Sequence, residues 1–364
     1  MKIAILGTRG VPNHHGGFEQ FAENLSQYLV KNKHEVYVYN SHNHPYQESI
    51  WNGVHILHQN DPEHKVGTAG QFIYDLNCIL DSRKRDFDAI LQCGYTSSSV
   101  WGWLLPKKAV IVSNMDGLEW KRSKYSPSVR KFLKVAEKWA IRSSDYLIAD
   151  SLGIQKYLKD TYNAEAKYIA YGAHPFKNPD SNILAKYGVT AYTYNMLVAR
   201  LEPENNIEVV LDGVVKSKQQ EPFFVIGKHD TTFGLYLKDK FKDSKNIQFL
   251  GGIYDLEHLN NLRYYSNLYF HGHSVGGTNP SLLEAMASNS FIIAHDNMFN
   301  RAILKENAFY FSDADDVARL LIKKKSDFST FVLANCRTIK EELSWDKINN
   351  TYEQYLEEVI AKKP

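Results

Sequence analysis

The stretch GGTNPSLLEAMASNS, residues 276–290, groups the residue types most suited to holding an anionic ligand. Asn279 suits a helix N-cap and Pro280 the first helical position. The amides of Gly277 and Thr278 would then stand before the positive end of a helix, a setting that attracts phosphate. Glu284, about one turn in, is the sole carboxylate of the stretch. Helical Cβ atoms lean toward the N-terminus, so its side chain points back toward that loop and can accept from two vicinal hydroxyls, such as a ribose diol. The alternative is that it only complements the helix dipole, worth under about 1 kcal/mol.

Other candidates stand where apolar runs end. Arg200 follows YNMLVA and Lys228 closes FFVIGK. A guanidinium at a strand's carboxyl end can clamp a diphosphate through its planar fork of donors. A surface ion pair with Glu202 or Glu204 is the alternative for Arg200. His271 and His273 alternate at another strand end, with His273 expected to face the ligand and His271 to pack. In GTRGVPNHHGGFE (7–19), Gly16 and Gly17 precede an amphipathic helix, either to let amides approach an anion or sugar or to form a tight turn. The spacing is not GxGxxG and the next strand ends in Asn40, so a dinucleotide fingerprint is absent. Asp116, in SNMDGLEW, either positions a substrate or forms a turn before Gly117.

Strands alternating with helices must position these groups. KIAILG (2–7), EVYVYN (35–40), VHILH (54–58), DAILQC (88–93), AVIVSN (109–114), YLIADS (146–151) and KYIAYG (167–172) read as strands. Helical patterns at 71–84, 127–142 and 152–162 separate several of them. After the Gly-, Pro- and Asn-rich segment 172–182, which reads as a linker, the alternation restarts at 194–200 and continues to 291–296. The expectation is α/β: two successive doubly wound domains, 1–175 and 183–342, followed by a helix within 343–364. Ligands bind such sheets beyond the carboxyl ends of the strands, and two of them joined by one linker form a cleft walled by those edges.

The composition of the 364-residue chain, 43% hydrophobic and 23% charged, is that of an ordinary globular protein. A formal charge of +2 gives no reason to expect a nucleic-acid partner. Three scattered cysteines supply no disulfide framework or CxxC site, which suits a reducing cytoplasm. No apolar run reaches the length of a membrane span. DFD (86–88) precedes a strand, DADD (313–316) begins a helix and HNH (42–44) lacks further ligands, so no metal site is expected. VWGWLLPKK (100–108) and the helix bearing Lys121, Arg122, Lys124, Arg130, Lys131, Lys134, Lys138 and Arg142 could hold an anionic membrane surface, or be a solvated basic face.

RLEPENN, IQFLGGI and HSVGGTNPSLLEAMASNSFIIA together resemble the retaining GT-B glycosyltransferases, the large family that includes sucrose and bacterial mannosyl transferases. GTRGVPNHHGGFEQFAENL and NMDGLEWKR are similar to a bacterial rhamnosyltransferase-like subgroup. The resemblance implies two Rossmann-like domains facing across a cleft, with the C-terminal helix returning to the first. It implies that Glu284 binds the nucleotide ribose, that Gly276, Gly277, Thr278, Asn279 and His273 surround the phosphate and donor sugar, and that Arg200 neutralises the diphosphate. Ile253 and Tyr254 would lie near the base, and Gly16 and Gly17 beside the reaction centre.

Three positions depart from the family pattern. Gly276 stands where a second Glu is usual, Asn205 where a Lys is usual, and Asp116 is the nearest polar group where a His is common. Lys228 would then carry the second phosphate contact, and the changes around the sugar suit a 6-deoxy donor. The reading is a metal- and cofactor-independent retaining transferase moving L-rhamnose from dTDP-rhamnose to a glycan or lipid-linked acceptor at the inner face of the cytoplasmic membrane. Arg200 and Lys228 would stabilise leaving-group charge; Glu19 and Asp116 would position the acceptor or the sugar and could serve as bases, with Asp116 counted among the catalytic groups. A GT-B sugar-nucleotide epimerase and a non-catalytic two-lobed binding protein are the alternatives.

Overall fold

The computed structural model describes every residue except His15, Ser123, Lys124 and Pro364. The chain divides into two units. The first contains β1 (Lys2–Leu6), α1 (Gly17–Lys31), β2 (Glu35–Ser41), β3 (Ile50–Trp51) and β4 (Val54–Gln59). It continues through α2 (Glu63–Val66), α3 (Gly70–Ser82), β5 (Ala89–Cys93), β6 (Val110–Asn114), α4 (Pro127–Ser143), β7 (Tyr146–Ala149), α5 (Leu152–Tyr162) and β8 (Lys167–Tyr168). Its sheet order is β3-β4-β2-β1-β5-β6-β7-β8, parallel except for the β3–β4 pair. Ile3 of β1 faces Val36 on one side and Ala89 on the other. Strands in such a sheet are covered on both faces, and accordingly Ile3, Ala4, Ile5 and Leu6 are all buried.

The second unit contains β9 (Asn195–Val198), α6 (Ile207–Ser217), β10 (Phe223–Ile226), α7 (Thr232–Lys240), β11 (Ile247–Gly251), α8 (Leu256–Tyr265) and β12 (Leu268–His271). It ends with α9 (Pro280–Ala287), β13 (Ile292–His295), α10 (Met298–Leu304), β14 (Phe309–Phe311), α11 (Ala314–Leu320) and α12 (Ser329–Glu341). The strands lie in the order β11-β10-β9-β12-β13-β14, all parallel. Leu197, Val210, Val225, Phe270 and Ile293 form part of its core.

The last helix, α13 (Trp345–Ala361), belongs to the first unit. Trp345, Ile348, Tyr352, Leu356 and Val359 form its buried stripe. Tyr352 lies 4.8 Å from the Phe21 ring of α1, and Trp345 lies 6.5 Å from Tyr171. His34 and Glu353 join the two segments through a 2.8 Å contact.

The elements differ from the sequence reading in three places. KYIAYG forms a strand only at Lys167–Tyr168, an edge of the sheet with a neighbour on one side. The hairpin joining β3 and β4 turns at Asn52 and Gly53, both with positive φ, as a two-residue primed turn requires. The segment 172–182 packs with the second unit: the Ala173 amide donates to the Leu343 carbonyl, Phe176 to Ala287, and Asp180 to Asn261 Oδ1. The unit boundary therefore falls at Tyr171 and Gly172. Among the described residues, no helix is long and apolar enough to cross a membrane.

Candidate functional site

In the second unit the strand order reverses between β9 and β12, the place where open α/β sheets bind ligands. Arg200 lies just beyond β9. Its side chain is exposed and makes no ion pair among the described residues, so pairing with Glu202 or Glu204 is not what holds it. Its carbonyl is held instead, accepting from Asn205 Nδ2 at 2.7 Å and from the Glu202 amide at 2.8 Å. Asn206 Nδ2 donates to the Gly272 carbonyl at 2.8 Å, and Ser274 Oγ donates to the Glu204 carbonyl at 2.7 Å. The RLEPENN loop is thus clasped to the loop after β12. Asn205, read as a departure from a phosphate-binding Lys, is a buried clasp.

Lys228 follows β10, exposed, with Asp230 at 3.5 Å. Gly227 sets the approach of the two strand ends, because a Cβ there would lie 1.9 Å from the Ala199 carbonyl oxygen. Any side chain at 227 would push apart the segments that lead into Arg200 and Lys228. Beyond β11, Ile253 is half-buried and Tyr254 is 82% exposed. These three candidate loops therefore leave neighbouring strands on one edge of one sheet.

The loop from β12 to α9 carries the remaining candidates. His271 and His273 stack at 4.5 Å. His271 is buried, in keeping with a packing role. Burial first, and then the charge of Arg200, lower His273 to about 3, so the imidazole is neutral at physiological pH. Gly276 adopts φ +123°, which L side chains avoid, while the space around a Cβ there is empty within 4 Å. Backbone conformation, not crowding, is what excludes a Glu from this position. Asn279 caps α9 by accepting from the Ser281 amide at 2.9 Å, with Pro280 in the first turn.

Glu284 does more than complement the helix dipole. Its Oε2 lies 2.7 Å from Nη2 of Arg263, a residue of α8 that is only 1% exposed. Reading the sequence did not find Arg263. The available signal was its position four residues after Leu259, on the stripe of α8 that is buried.

In the first unit the order reverses between β1 and β5. Gly16 caps α1 with extended backbone and accepts from the Gln20 amide through its carbonyl; Gly17 opens the helix. Glu19 is buried, and its Oε1 accepts from the Arg9 amide at 2.7 Å. The carboxylate expected to position an acceptor thus also anchors its own loop. The Arg9 guanidinium contacts Asp61 at 2.8 Å and also Glu63. A cavity of ≈160 Å³ is lined by Arg9, His14, Glu19, Asn43, His44 and Glu63. Asp116 follows β6 beside Gly117, whose φ of +60° fits a turn. Burial raises the Cys93 thiol, and the charges of Glu19 and Asp116 raise it further, so both carboxylates bear on the end of β5.

Three acids of the acidic motifs have partners in the fold. Asp88 accepts from the Lys2 amide at 2.6 Å, Asp313 caps α11, and Asp316 pairs with Arg319. In the basic region, Lys134 sits 4.0 Å above the Trp120 ring and Lys121 at 5.5 Å. Lys124 of that region lies outside the described residues.

Residues 188–328 match the family described as Glycosyl transferases group 1, and residues 106–174 match a family described as a domain of unknown function, DUF1972. Among similar solved structures is sucrose-phosphate synthase from Thermosynechococcus elongatus, at TM-score 0.83 and 16% identity, covering 100% of both chains. Another is Alr3699/HepE from Anabaena, solved with UDP and glucose, at TM-score 0.75 and 16% identity over 98% of this chain and 100% of that one. A glycosyltransferase from Rickettsia africae aligns at TM-score 0.71 and 14% identity over 100% of each. No curated protein matches the chain. The class is defined at the level of fold: two Rossmann-like units of the GT-B type, the second of which contains the stretch that matches the glycosyl transferases group 1 family.

Proposed function

We propose that the chain is a retaining glycosyltransferase that moves L-rhamnose from dTDP-rhamnose to a glycan or lipid-linked saccharide in cell-surface polysaccharide synthesis. The observation that carries the reading is the open carboxyl edge of the second sheet. There Arg200 and Lys228 stand exposed after β9 and β10, on the same edge of the sheet as the loop of Gly276, Gly277 and Thr278 and the N-terminus of α9. Such an edge matches the two negative charges on the diphosphate of a nucleotide sugar. The solved relative holding UDP and glucose supports a nucleotide-sugar partner.

In this reading the two cations and the helix end stabilise the diphosphate as the C1–O bond to it breaks, without a metal. The acceptor hydroxyl forms the new C1–O bond on the same face, and its proton passes to the departing phosphate oxygen. Ile253 and Tyr254 flank the base, and Glu284 accepts from the 3′-hydroxyl of the nucleotide's sugar, the one hydroxyl that the deoxyribose of dTDP offers. His273, being neutral, serves as a hydrogen-bonding group for the sugar. Glu19, Asp116 and the glycines at 16 and 17 belong to the acceptor side. The basic face of α4, with Trp120, gives the first unit an attraction to anionic lipid at the cytoplasmic membrane.

A panel of nucleotides and nucleotide sugars, read by thermal shift and then by nucleoside diphosphate release with added lipid-linked acceptor, tests the proposal. Stabilisation by dTDP-rhamnose and acceptor-dependent release of dTDP are expected. Absence of stabilisation by every nucleotide and nucleotide sugar overturns it.

A further inference from the structure

We infer that Arg263 is a positioning residue that aims the Glu284 carboxylate at a ribose hydroxyl of the bound nucleotide; the inference rests on the nucleotide-sugar reading above. Arg263 is among the largest fully buried side chains. Nη2 donates to Glu284 Oε2 at 2.7 Å and Nη1 donates to Asn260 Oδ1 at 3.0 Å, while Nε is buried without an acceptor. Asn260 Oδ1 also accepts from Ser288 Oγ at 3.3 Å, just past the end of α9. Arg263 and Asn260 therefore bracket α9 from α8, one at its carboxylate and one at its C-terminus.

A guanidinium removed from water is costly even when paired, and well-packed apolar side chains of similar volume often serve stability as well or better. Stability alone gives little reason for an arginine here. What an apolar residue could not supply is direction. A glutamate on a helix surface rotates about three bonds, and a hydroxyl acceptor that must be ordered on binding loses affinity. The Arg263 contact fixes Oε2, while the side chain of Glu284 keeps 23% of its exposure, so the carboxylate is held from behind and still reachable. It stands one turn into the helix whose N-terminus follows Gly276 and Gly277, where a nucleotide's diphosphate and ribose would be neighbours.

The test is calorimetric titration of the full chain with UDP, dTDP and 2′,3′-dideoxythymidine diphosphate, the last lacking both ribose hydroxyls. In the Arg263→Met variant, affinity for UDP and dTDP should fall about tenfold, the scale of one charge-assisted hydrogen bond. Affinity for the dideoxy nucleotide should not change, and Arg263→Lys should recover part of the loss. Should Arg263→Met fail to fold, Arg263→Gln, which keeps a donor but not the charge, takes its place: it should weaken UDP and dTDP binding several-fold and leave the dideoxy nucleotide unchanged. Equal weakening of all three nucleotides by Arg263→Met, or unchanged preference for the hydroxylated ones, overturns the positioning role while leaving the nucleotide site in place. A wild-type chain that binds none of the three overturns the underlying reading and this inference together.

Discussion

Arg9 and Arg200 make a natural pair for comparison. Each follows the first strand of its own unit, at the carboxyl end and beside the point where the strand order reverses. Arg9 is surrounded by acid: Asp61 and Glu63 on its guanidinium and Glu19 on its amide. Arg200 is exposed, with only its backbone tied down and no ion pair among the described residues. The same topology thus carries an ion-paired arginine in one unit and, among the described residues, an arginine without an ion pair in the other. Fold places the loops, whereas the local charge balance decides which edge has capacity left for an anion.

The largest expected effect that could break this contrast comes from Arg9→Ala. It leaves Asp61 buried without its partner and should cost about 3–5 kcal/mol of stability, measured by urea denaturation. A cost below 1 kcal/mol would mean that the network is not holding the loop. Next is Arg200→Ala, which should leave the urea midpoint in place and lower nucleoside diphosphate release roughly 100-fold. Loss of stability with intact turnover would reverse the roles assigned to the two arginines.

Smaller is Gly276→Ala. With empty space around the position, its cost is confined to the backbone, about 1–2 kcal/mol, and should appear as roughly tenfold weaker binding of dTDP. Unaltered binding would show that the amides of this loop are not part of the site. The smallest effect concerns His273. The folded imidazole takes a proton only near pH 3, whereas the unfolded one takes it near 6.5, so stability from this group is lost as pH falls from about 6.5 toward 3. Arg200→Ala removes one cause of the lowering. His273 should then titrate higher in an NMR series, and the loss of stability on the acid side should be shallower. An unmoved titration would place the Arg200 charge away from the loop.

Much of this was legible because it is local. The strand–helix alternation follows from periodicity, and the capping by Asn279 and Asp313 follows from residue type at a helix start. What escaped was tertiary. Arg263 meets Glu284 across two helices separated by a strand, and nothing in the local pattern names its partner. Asn205 reads as a lost phosphate ligand when compared with a family pattern, yet its amide closes on a carbonyl five residues back. Segment 172–182 has the composition of a free linker, but its backbone donors find acceptors on the second unit. Asp61 and Glu63 gave no sign that they would meet Arg9, because that pairing depends on β4 lying beside β2 in the sheet.

The membership of α13 in the first unit bears on how the chain is made. A ribosome completes the sheet of that unit by Tyr168, but the helix covering Phe21 and Tyr171 emerges only after the whole of 172–344. The intervening unit carries all of its own strands and can close on itself first. Until then an aromatic seat stays uncovered, the kind of transient surface that nascent chains conceal with chaperones. The unit whose sheet is synthesised first is therefore the one whose chain is completed last.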